Sequence, residues 1–246
     1  MYGEVKIFAT LTVVVAVSIL FANISQGQEI TPATKEGGGM GYSMLGRSTI
    51  DIKDLNTKLE SKGYSKISDN FFSVGGGGHG IINNRLIIGG EGHGLLGEEV
   101  TSGNYKNSLN IGYGFFDLGY IVYSIKDLRV YPLLGLGGGG MNLKIAEKLT
   151  SLSFDDVLDN PKRNVELSTS GFLLNLALGI DYLLKFGEDE KGRAGMILGL
   201  RAGYTLSPFK GGWEMDEIEI SGAPEIGITG PYIRLMIGGG EIGKKE

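Results

Sequence analysis

Segments of alternating apolar and small polar residues, 43 glycines set inside those segments, and connections that alternate long with short predict an all-β chain: an antiparallel up-and-down transmembrane β-barrel of about eight strands. The 246 residues, 41% of them hydrophobic, suffice for one large β domain, and no second domain is required. Glycine far exceeds its usual share of roughly 7% and lacks the three-residue period of collagen. Because the glycines sit within apolar alternation and not in linkers, they indicate close strand approach or strong curvature, as in a tightly closed barrel. The net charge of -5 and pI near 5.2 come without a basic patch, so nucleic acid is not an expected partner. Cysteine is absent, which excludes disulfides and thiolate metal sites.

Taken in order, residues 1–27 read as an export signal, with an uncharged apolar run from Ile7 to Ala22 and small residues at Ala22, Ser25 and Gly27. The run is shorter than the ~20 residues of a membrane-spanning helix. Residues 28–37 form a polar lead-in, 38–243 the barrel, and 244–246 a charged tail. In the first strand, Gly38 to Ile52, Met40, Tyr42 and Met44 alternate against Gly41, Ser43 and Leu45, and the second face continues through Arg47, Thr49 and Asp51. From Lys53 to Gly63 the period changes to that of a short helix, with Leu55 and Leu59 four apart and Gly63 as its stop.

The stretch Phe71 to Val100 is a hairpin that turns at Asn83 and Asn84, residues that tolerate a left-handed backbone. A two-residue turn would place His79 on the opposite face from Glu91 and His93. A three-residue turn, Asn83 to Arg85, pairs Ile82 with Leu86, Gly80 with Ile88, Val74 with Gly94 and Phe72 with Leu96, and gathers Ser73, His79, Glu91 and His93 on one small polar face. This second register is expected, since a one-residue slip exchanges a whole face. It predicts that His79 meets Glu91, directly or through one water. A fourth strand follows from Tyr105 to Ser124, with a bulge expected near Phe115 and Phe116 where its alternation slips. The fifth runs from Leu128 to about Ile145. In the sixth, Phe172 to Leu184 alternates against Asn175, Gly179, Asp181 and Lys185. The seventh sets Met196, Leu198 and Leu200 against Arg193 and Arg201, and the eighth, Gly227 to Gly239, sets Ile233, Leu235 and Ile237 against Tyr232 and Arg234.

The first, third, fifth and seventh connections are residues 53–69, about 100–104, 146–163 and 209–226, whereas the others are tight turns. Long loops on one rim and tight turns on the other characterise outer-membrane barrels with an even strand number. With the export signal and the amphipathic strands, this pattern resembles the small eight-stranded outer-membrane barrels of Gram-negative bacteria over Gly38 to about Ile242. The resemblance implies location in the outer membrane, lipid as the surrounding partner, and a structural, envelope-interaction or narrow-pore role. Members commonly end in an aromatic residue read by the assembly machinery; this chain ends EIGKKE.

Arginine or lysine facing lipid at mid-depth costs about 2–4 kcal/mol, so the charges belong in the lumen. The expected lumen cluster is Ser73, His79, Glu91, His93, Arg47, Asp51, Asp181, Arg193, Arg201 and Arg234, with both signs present so that pairing plugs the bore. Eight strands enclose an interior just wide enough for side chains. No cofactor is expected: Gly135, Gly137 and Gly140 match G-x-G-x-x-G, but no alternating β and α pattern surrounds them. His79, Glu91 and His93 have the chemistry of a zinc site, but no residue supporting such ligands can be named from sequence, so a hydrogen-bonded lumen network is the expected account and no metal site is predicted. An enzyme is not expected. The lipid A deacylases of this superfamily carry histidine and serine two apart, and neither His79 nor His93 has such a serine. The competing readings are a lipid-modifying hydrolase or acyltransferase, and a secreted soluble lipocalin-like barrel. The acidic loops Asp155 to Asp159 and Glu214 to Glu219 are candidate contacts for cations or envelope components.

Overall fold

The structure is a computed structural model that describes residues 37–148, 151, 153–159, 164–188 and 192–243. The expected export signal and charged tail lie outside the described residues. In chain order the strands are β1 (Gly37–Thr49), β2 (Asn70–Ile82), β3 (Leu86–Leu96), β4 (Val100–Ser102), β5 (Tyr105–Tyr120), β6 (Tyr123–Ile125), β7 (Leu128–Glu147), β8 (Asn164–Glu188), β9 (Gly192–Lys210), β10 (Trp213–Met215), β11 (Ile218–Ile220) and β12 (Gly230–Gly243). Eight of them, β1, β2, β3, β5, β7, β8, β9 and β12, form an antiparallel ring that closes where β12 pairs with β1. The short strands extend the rims: β4 pairs with β5, β6 with β7, and the β10–β11 hairpin with β8.

Residues 50–69, 97–104, 148–163 and 211–229 connect ring strands on one rim; 83–85, 121–127 and 189–191 connect them on the other. The first long loop holds a helix, Lys53–Ser61, whose Leu55 and Leu59 are buried. It stops at Gly63, which takes a φ of 82° as a helix C-terminus favours. The Asn56 side chain exchanges two 2.9 Å hydrogen bonds with the backbone of Ile67, fastening the helix to the returning chain. No helix among the described residues is long and apolar enough to cross a membrane.

The alternation resolves into a wall with an apolar outside. Leu235 and Ile237 expose 62% and 54% of their surface, whereas Arg234 and Met236 beside them expose 0% and 1%. The same outward set recurs at Leu176 and Leu178, Leu198 and Leu200, and Phe116 and Leu118. Toward the long-loop rim the outer face changes to polar residues such as Asn110, Asn142 and Ser168.

The interior has three tiers. At the long-loop mouth, Ile52, Leu55, Ile67, Trp213 and Ile228 from the loops pack on Phe71, Leu109, Tyr113 and Leu173 from the strands. Near the turn rim, Ile81, Ile87, Ile121, Tyr131 and Leu133 form a second apolar cluster. Between them lie buried charged and hydroxyl groups.

Two expectations are corrected. The first strand has its faces the other way round: Met40, Tyr42 and Met44 point inward at 6%, 6% and 1% exposure, and Arg47 points outward beside Leu45. The interior is not uniformly polar; these bulky residues fill space beside glycines, as Met40 does opposite Gly240 and Tyr42 opposite Gly238. The expected bulge near Phe115 is absent. β5 pairs with β7 without interruption from Tyr105 to Gly119, and its apolar residues change face because the mouth is apolar inside whereas the belt is apolar outside.

The hairpin has the three-residue register, with Ile82 opposite Leu86, Gly77 opposite Glu91 and Phe72 opposite Leu96. Asn83 and Asn84 both adopt positive φ, 52° and 53°. Each polar side chain faces a glycine on the partner strand: His79 faces Gly89, Glu91 faces Gly77 and His93 faces Gly75. A Cβ on Gly77 would lie 2.9 Å from that of Glu91 and collide with the Gly90 carbonyl, whereas one on outward Gly41 meets nothing within 4 Å. Gly77→Ala is therefore expected to destabilise the barrel by about 1–3 kcal/mol, and Gly41→Ala to stay within about 0.5 kcal/mol of the parent. Urea unfolding of detergent-folded protein, followed by far-ultraviolet circular dichroism, measures both; equal midpoints would refute the space-filling role of Gly77.

Candidate functional site

The polar tier is built from strands on all sides of the ring. Arg201 (β9) and Arg234 (β12) are direct cross-strand partners on the inner face. Like charges so placed destabilise a sheet unless a counter-charge serves both. Glu91, on β3 across the bore, supplies it. Its Oε2 accepts a hydrogen bond from Arg201 Nη1, and its Oε1 lies 3.8 Å from Arg234 Nη1. The Arg201 guanidinium also lies 5.3 Å from the centre of the Tyr42 ring.

Arg234 is the most connected group. Its Nε donates to Ser73 Oγ at 3.1 Å, Nη1 to His93 Nε2 at 3.1 Å, and Nη2 to the Tyr113 hydroxyl. The same His93 Nε2 also lies 3.3 Å from Glu91 Oε1, so the imidazole sits between the guanidinium and the carboxylate. The Tyr232 ring lies under Arg234 at 3.7 Å. The Tyr232 hydroxyl donates to Asn175 Oδ1 at 2.9 Å, and two further groups belong to the tier. His79 Nε2 meets the Tyr42 hydroxyl at 2.7 Å and Asp117 Oδ2 at 3.3 Å. Arg129 Nε donates to Asp181 Oδ1 at 2.6 Å.

The structure thus brings together Ser73, His79, Glu91, His93, Asp181, Arg201 and Arg234 on the inner wall. It does not bring Arg47 or Asp51 to them, contrary to expectation. Arg47 is on the outer face because β1 points its even-numbered residues inward, and Asp51 lies past the strand end, where its Oδ1 accepts from the Lys53 amide at 3.3 Å. The Arg193 side chain lies outside the described residues. Lys185 is at the turn rim, 3.1 Å from Asp127. His79 and Glu91 lie on the same inner face, as the expected register requires, with a ligand atom of each within 4.8 Å; the direct partners of His79 are Tyr42 and Asp117, and those of Glu91 are Arg201 and, at 3.3 Å, His93.

Asp117 and Arg129 were not singled out from sequence. Both had a usable signal, since Asp117 shares the parity of Tyr113 and Phe115, and Arg129 that of Tyr131 and Leu133. The tier holds three carboxylates (Glu91, Asp117, Asp181) and three guanidiniums (Arg129, Arg201, Arg234) among the described residues; a fourth buried carboxylate, Asp127 at the turn rim, pairs with Lys185. Within the tier the charges balance.

One atom each from His79, Glu91 and Asp117 come within 4.8 Å of one another, a spacing that admits a metal ion. The Arg201 guanidinium on Glu91 opposes a cation there, and the Tyr42 hydroxyl already occupies His79 Nε2. For nucleophilic catalysis, a serine must meet an imidazole nitrogen able to take its proton. Ser73 Oγ is instead held by Arg234, which also blocks His93 Nε2.

Removing Glu91 leaves Arg201 and Arg234 facing each other without their shared anion. Glu91→Ala is expected to cost about 3–5 kcal/mol, and the double variant Glu91→Leu with Arg201→Met to recover most of it, because an apolar pair replaces a buried ion pair at little net cost. The same urea unfolding measures the cycle; additive losses in the double variant would show that the two residues do not act as a pair.

No protein-family model matches this sequence, and no curated protein gives a significant match. Among solved structures, the chain is similar to Ail, the attachment invasion locus protein of Yersinia pestis, with 14% identity, a TM-score of 0.39, and 85% of this chain and 99% of that one covered. It is also similar to Neisserial surface protein A, NspA, with 10% identity, a TM-score of 0.40, and 87% and 99% covered. A second structure of Ail, in complex with the heparin analogue sucrose octasulfate, matches with 11% identity, a TM-score of 0.39, and 84% and 98% covered.

Proposed function

We propose that this protein is an exported outer-membrane barrel whose bore is plugged and whose working surfaces are the long-loop cap and the outer wall: a structural or envelope-interaction protein, not a porin. The observation that carries the reading is the inversion of polarity across the wall. Leucine, isoleucine and phenylalanine are exposed outside, while arginine, glutamate and aspartate are fully buried inside. A soluble barrel of the lipocalin kind needs the opposite, a wet outside and an apolar cavity within. Here the outer belt suits hydrocarbon, and the ion pairs of the polar tier fill the space a ligand or solute would use.

The cap supports the same reading. The loop helix and Trp213 share one core with the barrel mouth, so the long-loop rim presents an ordered surface. The Trp213 indole donates to the Pro224 carbonyl at 2.9 Å, tying the two sides of the last long loop. Residues 1–27 provide the route of export, and acidic groups of the cap such as Glu214 and Glu219 the contacts for cations or basic partners.

The test has two parts. Membranes containing the protein are washed with alkaline carbonate, and purified protein is reconstituted into planar lipid bilayers. Retention through carbonate with release by detergent, together with silent bilayers, is expected. Release by carbonate overturns the membrane assignment, and large stable conductance overturns the plug.

A further inference from the structure

On the outer wall, just above the apolar belt, the strand register lays side chains out in cross-strand rows. Asn110, Asn142, Ser168 and Glu214 are successive cross-strand partners on β5, β7, β8 and β10. The row beneath them is Gly112, Gly140 and Ser170, and the row beneath that is Gly114, Gly138 and Phe172. Polar side chains above and bare backbone below make a groove of about 530 Å³. Its far wall is Gly211, whose amide donates to the Ser170 carbonyl at 2.7 Å. Small-molecule sites span about 300–1,000 Å³, so the groove is of useful size.

We propose that this groove binds an uncharged sugar headgroup, carried by a glycolipid of the surrounding leaflet. The lining has the donors and acceptors that sugar hydroxyls need: two carboxamides, hydroxyls and one carboxylate. Among the described residues, the side chains of Asn110, Asn142, Ser168 and Glu214 have no hydrogen-bond partner in the protein. No lysine or arginine lines the groove. Two cations neighbour the groove in the strand register, and both are engaged: Lys144, one row above, is paired with Glu166 at 3.3 Å, and Lys210, opposite Gly171, donates to the Glu225 carbonyl at 3.1 Å. With Glu214 as its one charge, the groove repels phosphate and accepts a neutral sugar.

Position selects the lipid as the source. From the rise per residue and the usual strand tilt, the row of Ser168 stands about 10 Å above Phe172 along the barrel axis. Phe172 and Phe209, with ring centres 6.4 Å apart, mark the upper edge of the belt. The groove opens sideways at headgroup level, where lipids stand. The inference rests on the membrane reading above.

The experiment places the protein in phosphatidylethanolamine bicelles doped with diglucosyl-diacylglycerol and follows the side-chain amide resonances of Asn110 and Asn142 by NMR. Saturable shifts are expected with the glycolipid and none with phosphatidylglycerol. Gly112→Leu should weaken the response at least ten-fold by filling the floor, since a Cβ there meets its nearest atom only at 4.0 Å. Ser168→Ala serves as a second variant should Gly112→Leu fold poorly; it is expected to weaken the response at least three-fold. Unchanged binding in the well-folded variant, or a response to phosphatidylglycerol as strong as to the glycolipid, overturns the proposal. Equal binding of the soluble methyl diglucoside, added without glycolipid, overturns the lipid source. Failure of the membrane reading is separately visible, as a protein that stays in solution without bicelles.

Discussion

Every inward side chain of this barrel must fit a bore that eight strands make only wide enough for side chains. That constraint explains the glycines. A carboxylate, an imidazole or a tyrosine ring can enter the bore only where the neighbouring strand gives up its own side chain. The hairpin does this three times, with Gly75, Gly77 and Gly89 opposite His93, Glu91 and His79. The pattern continues around the ring. A Cβ on Gly203 would lie 2.6 Å from the Tyr232 hydroxyl, and one on Gly199 2.6 Å from Met236 Cε. Composition that reads as low complexity along the chain is thus space-filling complementarity across it.

The constraint also decides what could be read from sequence. The hairpin register was legible because two independent signals agree there: paired asparagines that favour positive φ, and a polar set that only one register collects on a single face. The faces of β1 were not legible from the rule that apolar residues face lipid. Met40, Tyr42 and Met44 are as apolar as the belt, yet they fill the bore beside glycines of β12 and β2. Arg47 then went to the wrong face with the rest of the strand. The slip in β5 has a related cause. Its inner residues Ile111, Tyr113 and Phe115 serve the capped mouth, and its outer residues Phe116, Leu118 and Tyr120 serve the belt. A strand whose two halves meet different surroundings shows no single alternation, although its hydrogen bonding is regular. Partner choice within the polar tier was illegible for another reason. It depends on which strands face each other across the ring, and Glu91 meets Arg201 only once the ring has closed.

The polar tier gains its meaning from the alternatives open to its members. Buried ion pairs contribute little net stability against well-packed apolar residues. A one-residue slip of β9 or β12 past its neighbours is a different matter. It would turn Arg201 or Arg234 out onto the apolar belt and bring leucine and isoleucine into the bore. The charges therefore specify register from the inside while the leucines specify it from the outside, and the two agree only in the observed pairing. Charge balance follows from the same logic, because an unmatched carboxylate among these side chains would have neither water nor a counter-ion.

A barrel filled in this way has spent its interior on its own structure, and the surfaces left for recognition are those that packing does not dictate. Between the leucine belt and the cap lies one such band. There the outer face needs neither to match hydrocarbon nor to pack against the bore. In the belt, leucine and isoleucine recur exposed on β8, β9 and β12, as the proposed lipid contact requires. One or two rows higher, Asn110, Asn142, Ser168 and Glu214 stand side by side with no partner among the described residues and with nothing in the barrel requiring them. On the proposed reading, fold and recognition divide along the wall by height, with register set at the apolar belt and ligand chemistry placed above it.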